Sequence, residues 1–148
     1  MQYRNYNRQN YGSLLNELKE GHNSSTYHRP TEIHQGEIYY ADLPLDRGAE
    51  TRGNHPVLVV SSARMNSWSS LILVVPLTSN MTHRSKATHV PFRFVFGKDT
   101  KESLALCEQV RALDKKFITS GIIGQANRQT MSAVLGIIKE YELKEDYT

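Results

Sequence analysis

The sequence has few features that would allow disulfide bonding, secretion or membrane insertion. Cys107 is the single cysteine among 148 residues, which excludes an internal disulfide bond and favours a reducing, cytoplasmic location. No apolar run approaches the roughly 18 residues of a membrane-spanning helix. The N-terminal segment MQYRNYNRQNYG lacks the apolar core of a secretory signal. We therefore expect a cytoplasmic protein that does not interact with a membrane.

Motifs for nucleotide cofactors and metal ions are also missing. The sequence has no Walker-type glycine loop, no GxGxxG, no HExxH and no CxxC. Its six histidines are scattered, without the short spacing that places two ligands on one helix face, so we expect no metal site and no cofactor. The net charge of +3 permits a nucleic-acid partner but does not require one.

Residues 1–32 differ in composition from the rest of the chain. They are rich in Asn, Tyr, Arg, Gln and Ser, and they contain one short helical pattern, SLLNELKEG, with Ser13 as a suitable N-cap. A helix of about two turns is marginal in isolation. We therefore interpret residues 1–32 as a polar N-terminal extension, either a disordered tail or a short docked helix, and residues 33–148 as a single domain.

From residue 35 onward, short apolar segments bounded by turn residues predict strands. The predicted strands cover residues 37–43, 56–62, 71–79, 87–96, 103–113 and 121–125, the fifth of them turning polar at Glu108. In the first strand, Ile38 and Tyr40 are expected on one face and Tyr39 and Ala41 on the other. Residues 63–70 are interpreted as a connection.

A C-terminal helix completes the predicted fold. Asn127 is a suitable N-cap, and the helix is expected to end near Glu142. Its apolar stripe would consist of Met131, Val134, Leu135, Ile138 and Tyr141. The fold class is therefore mainly β (α+β): a small curled sheet or barrel with a C-terminal helix and short peripheral helices.

Three polar segments lie at the ends of predicted strands: residues 46–55, 77–80 and 107–111. Their Arg, His, Thr, Ser, Glu and Gln side chains suit acid–base chemistry and the stabilisation of a phosphate without a metal. Each segment could equally be a solvated loop, a turn or a surface ion pair, and spacing alone does not show that the three converge. Cys107 is predicted to lie within a strand, buried and inert.

Four segments in fixed order resemble the MazF/PemK (Kid) family of toxin endoribonucleases. They are GEIYYADL, GAETRGNHPVLVVSS, VVPLTSN and LALCEQVRALDKKFI, and the resemblance covers residues 33–141. It implies a small SH3-like β-barrel that forms a homodimer and binds single-stranded RNA, such as mRNA, in a groove. It also implies metal-independent cleavage to 2′,3′-cyclic phosphate and 5′-OH ends, and inhibition by a cognate antitoxin protein.

The resemblance also implies roles for particular residues. Thr78 matches the threonine that holds and polarises the scissile phosphate, and Glu50 matches the loop glutamate. Glu108 and Gln109 match an acid–glutamine pair that contacts the substrate near the cut. Arg111, Ser79 and Arg47 complete the candidate RNA-binding set.

One position departs from the family pattern, which has arginine immediately before the strand proline where this chain has His55. His55 could retain the function as an acid or base, because an imidazole pKa near 6.5 suits proton transfer at neutral pH. Arg52, three residues upstream, could instead supply the missing charge as a catalytic group. Alternatively, the chain could be an inactive homologue that binds RNA or an antitoxin. A gyrase-binding protein of CcdB type is a further alternative. Residues that match the nuclease-type positions argue against it, namely Glu50, Thr78 and the Glu108–Gln109 pair.

Overall fold

The computed structural model describes residues 32–44 and 48–147. These residues form seven strands: β1 (Glu37–Leu43), β2 (Gly53–Val59), β3 (Leu71–Thr78), β4 (His89–Phe96), β5 (Asp99–Leu106), β6 (Arg111–Asp114) and β7 (Ile118–Gln125). Two α-helices, α1 (Ala63–Trp68) and α2 (Arg128–Ile137), accompany them. Short 3₁₀ turns cover Cys107–Gln109 and Lys115–Phe117. The N-terminal extension, up to residue 31, lies outside the described residues.

The strands form one antiparallel sheet in the order β4-β5-β3-β2-β1-β7, with β6 also paired to β3. The two ends of this path approach each other, because Gly124 of β7 lies against Phe94 of β4. A Cβ atom added at Gly124 would be 2.4 Å from Phe94 Cδ2. The sheet is therefore curled, and the predicted mainly β fold with a C-terminal helix is confirmed.

Strand β1 separates two apolar clusters. Ile38 packs into one cluster with residues such as Leu58 and Phe92, whereas Tyr39 and Ala41 pack into the other. Successive side chains of a strand point to opposite faces, so a strand buried on both sides contributes to two cores. The predicted division of Ile38 from Tyr39 and Ala41 is confirmed.

The C-terminal helix begins after Asn127 and its helical turns end at Glu142, both as predicted, but its last turn has a different geometry. The Asn127 side chain accepts a hydrogen bond from Thr130 N at 2.8 Å, and Met131, Val134 and Ile138 are buried. After Ile137 the helix continues as a π-helical turn, Ile138–Glu142. This wider turn breaks the 3.6-residue period, so Tyr141 leaves the buried stripe and is 63% exposed. Its predicted place in the stripe was wrong.

Two segments were assigned incorrectly from the sequence. Residues 63–70 contain α1, whose N-cap Ser62 accepts a hydrogen bond from Met65 N at 3.2 Å. Residues 103–113 are not one strand, because β5 ends at Leu106 and a 3₁₀ turn precedes β6. The apolar pattern hides this turn, since Cys107 is buried at its start rather than in mid-strand. Within the described residues, none of the helices is long and apolar enough to cross a membrane.

Candidate active site

His55 and Thr78 occupy neighbouring positions on adjacent strands. The loop that precedes β2 was expected to include His55, but His55 lies within β2, opposite Ala41 of β1. Strands β2 and β3 pair Val57 with Pro76 in antiparallel register. Extending this register by two residues puts His55 across from Thr78, and the alternation of a strand keeps both side chains on the same face.

An open cavity of about 610 Å³ lies beside these two residues. Six of the nine candidate residues line it: Glu50, His55, Thr78, Glu108, Gln109 and Arg111. Asn80, His83 and Lys86, from the loop between β3 and β4, line it as well. The three polar segments therefore converge, which the sequence could not show.

Of the other three candidates, two belong to the described residues, and neither of these two lines the larger cavity. Ser79 lines a smaller neighbouring cavity of about 210 Å³, which has His55 and Thr78 in common with the larger one. Arg52 is exposed and is not among the residues that line either cavity. Arg47 lies outside the described residues. His55 and Thr78 thus stand at the junction of two concave surfaces.

The Thr78 hydroxyl is oriented by the loop that follows it. Thr78 Oγ1 accepts a hydrogen bond from Asn80 N at 3.1 Å. A hydroxyl that accepts from the backbone keeps its own hydrogen for donation. Thr78 is therefore a fixed oxygen that can donate a hydrogen bond to a ligand in the cavity.

Gln109 and Arg111 fasten the loop that carries Glu50. Gln109 Oε1 accepts a hydrogen bond from Thr51 N at 2.6 Å, and Arg111 Nη2 donates one to Thr51 O at 2.6 Å. The two side chains thus hold both backbone polar groups of one loop residue. Their predicted contact with RNA stays a prediction, and their observed role is to fix Glu50 at the edge of the cavity.

The Glu108 carboxylate is held by two side chains that the sequence reasoning missed. Glu108 Oε1 is 2.7 Å from His89 Nε2, and Glu108 Oε2 accepts from Thr88 Oγ1 at 2.8 Å. Partial burial raises the pKa of Glu108, but the hydrogen bonds from His89 and Thr88 outweigh burial, and the net pKa is lowered. No sequence signal marked His89, because it lies 19 residues from its partner.

Glu142 approaches the same carboxylate from the C-terminal turn. Burial and the negative charge of Glu108 raise the pKa of Glu142. Burial, reinforced by the charges of Glu142 and Glu108, also raises the pKa of the Cys107 thiol to about 12. Cys107 is fully buried, which agrees with the expectation of an inert thiol. Among residues 32–44 and 48–147, no group of three or more His, Cys, Asp or Glu could hold a metal ion.

Comparisons with known proteins identify relatives of this chain. Residues 34–141 match the family model described as PemK-like, MazF-like toxin of type II toxin-antitoxin system. The endoribonuclease MazF of Staphylococcus epidermidis is 34% identical over 84 residues, 57% of this chain and 70% of that protein.

Solved structures share the fold. The crystal structure of MazF from Deinococcus radiodurans superposes with a TM-score of 0.60 at 22% identity, covering 71% of this chain and 91% of that one. An endoribonuclease from Mycobacterial species, solved in complex with its cognate antitoxin, superposes with a TM-score of 0.56 at 21% identity, covering 78% of this chain and 99% of that one.

Proposed function

This chain belongs to the PemK-like, MazF-like toxin family of type II toxin–antitoxin systems, and we propose that it is a sequence-specific, metal-independent endoribonuclease acting on single-stranded RNA. The observation that carries the proposal is the position of His55 beside Thr78 at the junction of two cavities, with Glu108 on the wall of the larger one. In an RNA strand that passes through both cavities, the phosphate between the two nucleotides at the junction would lie at His55 and Thr78.

The reaction that fits these groups is an intramolecular transesterification. The ribose 2′-oxygen attacks the adjacent phosphorus, the bond from phosphorus to the 5′-oxygen breaks, and a 2′,3′-cyclic phosphate and a 5′-hydroxyl result. The proton of the 2′-hydroxyl must leave to a base, and the departing 5′-oxygen must gain a proton from an acid. The half-buried His55 ring can take either role, while the Thr78 hydroxyl donates a hydrogen bond to a non-bridging phosphate oxygen.

Arg52 and Glu50 take subordinate places in this proposal. Arg52 is exposed and outside both cavity walls, so its transfer into the position of the family arginine requires the loop to move. Glu50 lies on the cavity wall and is held near it through Thr51. We assign Glu50 to contact with the RNA rather than to proton transfer, because His55, and not Glu50, lines both cavities together with Thr78.

The partners follow from the same family. We propose that the active form is a homodimer, that mRNA in the cytoplasm is its substrate, and that a cognate antitoxin blocks the cavity. Size-exclusion chromatography with light scattering tests whether the protein is a dimer. Inhibition of cleavage by the co-expressed antitoxin tests whether the antitoxin blocks the cavity.

Cleavage of a long single-stranded transcript in EDTA tests the activity. We expect fragments with 2′,3′-cyclic phosphate and 5′-hydroxyl ends, and an oligonucleotide with 2′-deoxyribose at the mapped cut should stay intact. Failure of the wild-type protein to form cyclic phosphate on varied RNA and at varied pH would contradict the proposal. If His55→Arg then cut the same RNA, the wild-type chain would be an inactive RNA-binding homologue.

A further inference from the structure

His89 connects two segments of the cavity wall. It is 8% exposed at the start of β4, and its Nδ1 lies 2.8 Å from the backbone oxygen of His83. Its Nε2 lies 2.7 Å from Glu108 Oε1. One buried ring therefore joins the loop between β3 and β4 to the turn that carries Glu108.

Both ring nitrogens of His89 face oxygen atoms that accept hydrogen bonds. A carbonyl oxygen and an ionised carboxylate have no hydrogen to donate, whereas a neutral imidazole has a single N–H. Both contacts are hydrogen bonds if the ring carries two protons and a positive charge. The alternative, a neutral ring with a protonated Glu108, is disfavoured by the geometry: Glu108 Oε2 accepts from the Thr88 hydroxyl while Oε1 faces the ring nitrogen, and hydrogen bonds donated to both oxygens favour the ionised carboxylate.

The charge of His89 matters for a ligand that carries phosphates. Glu108 lines the cavity as a carboxylate, and Glu142 lies close enough to sense its charge. Glu108 by itself would repel an RNA backbone in the cavity, and a protonated His89 in direct contact would reduce this repulsion alongside Lys86 and Arg111 of the same wall. His89 also fixes the loop from which His83 and Lys86 line the same cavity.

We propose that His89 is a positioning residue of this nuclease: as an imidazolium it holds Glu108 and the β3–β4 loop in place and offsets the Glu108 charge toward RNA. The proposal rests on the proposed function and adds to it a residue that acts on the substrate through Glu108. The Glu108 carboxylate is then an oriented acceptor for the RNA and not a free base.

A double-mutant cycle tests this coupling. The proteins are the wild type, His89→Gln, Glu108→Gln and the double variant, and the probe is the 2′-deoxy oligonucleotide spanning the mapped cut. His89→Gln should weaken binding of this probe about tenfold in the wild-type Glu108 background. With the cleavable all-ribose oligonucleotide of the same sequence, KM should change more than kcat. The same substitution should have little effect when Glu108 is already Gln, since contacting residues couple by up to roughly 3 kcal/mol.

The control is His34→Gln. His34 also lies beside a carboxylate, with Nδ1 3.6 Å from Glu37 Oε1, but it is half-exposed and does not line either cavity. RNA binding should not change in this variant. Equal weakening by His89→Gln in both Glu108 backgrounds would show a merely structural role and overturn the proposal.

Nitrogen NMR of the imidazole gives a second test that does not depend on folding of a His89 variant. At pH 7 the wild-type His89 ring should show two protonated nitrogens, and Glu108→Gln should return it toward the neutral form. A neutral ring in the wild type would overturn the proposal.

Failure of the proposed function gives a different result. Wild-type protein that binds RNA without cutting it contradicts the nuclease activity, and a long single-stranded transcript then replaces the oligonucleotide as the probe of the cycle. A wild-type protein that neither binds nor cuts RNA would overturn both proposals.

Discussion

At position 55 an imidazole stands where the MazF/PemK pattern has a guanidinium. The two groups share a positive charge when the imidazole is protonated, but they differ in chemistry. Imidazole exchanges a proton near neutral pH, whereas guanidinium stays charged and offers a planar, bidentate fork to phosphate. Our proposal therefore assigns proton transfer, rather than a permanent charge, to the half-buried His55 ring.

His55→Ala should lower kcat by about 10²- to 10⁴-fold, the usual contribution of a positioned acid or base. Binding of the uncleavable 2′-deoxy oligonucleotide should largely survive, because the proposal assigns the ring to proton transfer rather than to binding. Single-turnover cleavage in EDTA measures the first quantity and fluorescence anisotropy the second. A mild effect of His55→Ala together with a severe effect of Arg52→Ala would assign the role to Arg52.

Thr78→Val should reduce cleavage by about 10- to 100-fold, since a hydrogen bond to a charged group contributes roughly 1.5–3 kcal/mol. Valine keeps the branched shape and removes the hydroxyl that Asn80 orients. Thr78→Ser is the matched control, because it keeps the hydroxyl and should retain most of the activity. Equal rates for the Val and Ser variants would contradict donation by Thr78.

Glu142→Gln should stabilise the protein at neutral pH. The folded pKa of Glu142 lies above its ordinary value of 4.5, so folding favours the protonated form. Glu142 therefore contributes to the stability of the fold while it is protonated. This contribution is fully present below pH 4.5 and is lost as the pH rises through the folded pKa. Glutamine imitates the protonated group, so urea denaturation should show a gain of less than about 1 kcal/mol at pH 7 and none at pH 4. Glu140→Gln, exposed in the same turn, is the control and should show no such gain.

Among the elements, the loop before β2 depends on the turn after β5. Gln109 and Arg111 hold the two backbone polar groups of Thr51. Glu50 therefore keeps its place because of side chains that lie more than fifty positions later in the chain. Such a loop opens more readily than the strands around it when one anchor is removed.

Gln109→Ala should speed hydrogen exchange of the backbone amide at Thr51, because that N–H loses its acceptor. Loss of one such hydrogen bond typically costs about 0.5–1.5 kcal/mol, which corresponds to roughly a two- to tenfold faster exchange. Gln129→Ala, at an exposed position of α2, serves as the control. Unchanged protection at Thr51 would show that Arg111 alone holds the loop.

The elements that the sequence predicted are those with local patterns. Alternation in β1 and β4, and the Asn127 cap of α2, depend on residues a few positions apart. The first half of β5 was missed because its residues Asp99–Glu102 are exposed and polar, and they are ordered by pairing with β4. His89 and Glu142 were missed for a related reason: the partner that explains a buried polar group is distant in sequence.

At the scale of the whole molecule, the curl of the sheet depends on a close approach between its two ends. Gly124 lacks the Cβ that would meet the Phe94 ring at 2.4 Å. Phe94 also lines the smaller cavity, together with His55 and Thr78, and β2 and β3, which carry these two residues, lie within the same curled sheet. The shape of the smaller cavity therefore depends on this close approach.

Gly124→Ala should destabilise the protein by about 1–3 kcal/mol, the usual cost of overpacking. The Phe94 ring would have to shift in a core position that is 4% exposed. Gly121→Ala in the same strand is the matched control, because a Cβ there would meet no atom within 4 Å. Thermal unfolding should separate the two variants, and equal midpoints would mean that the Phe94 ring moves aside without cost.

The burial of Cys107 makes the labelling of this single thiol a measure of local opening at the candidate active site. A fully buried thiol with a pKa of about 12 is almost entirely unreactive toward a disulfide reagent at neutral pH until the turn around it opens. Its labelling rate therefore counts openings of the segment that bears Glu108. RNA or an antitoxin that binds this segment would lower the labelling rate of Cys107, whereas a ligand that binds elsewhere would leave that rate unchanged.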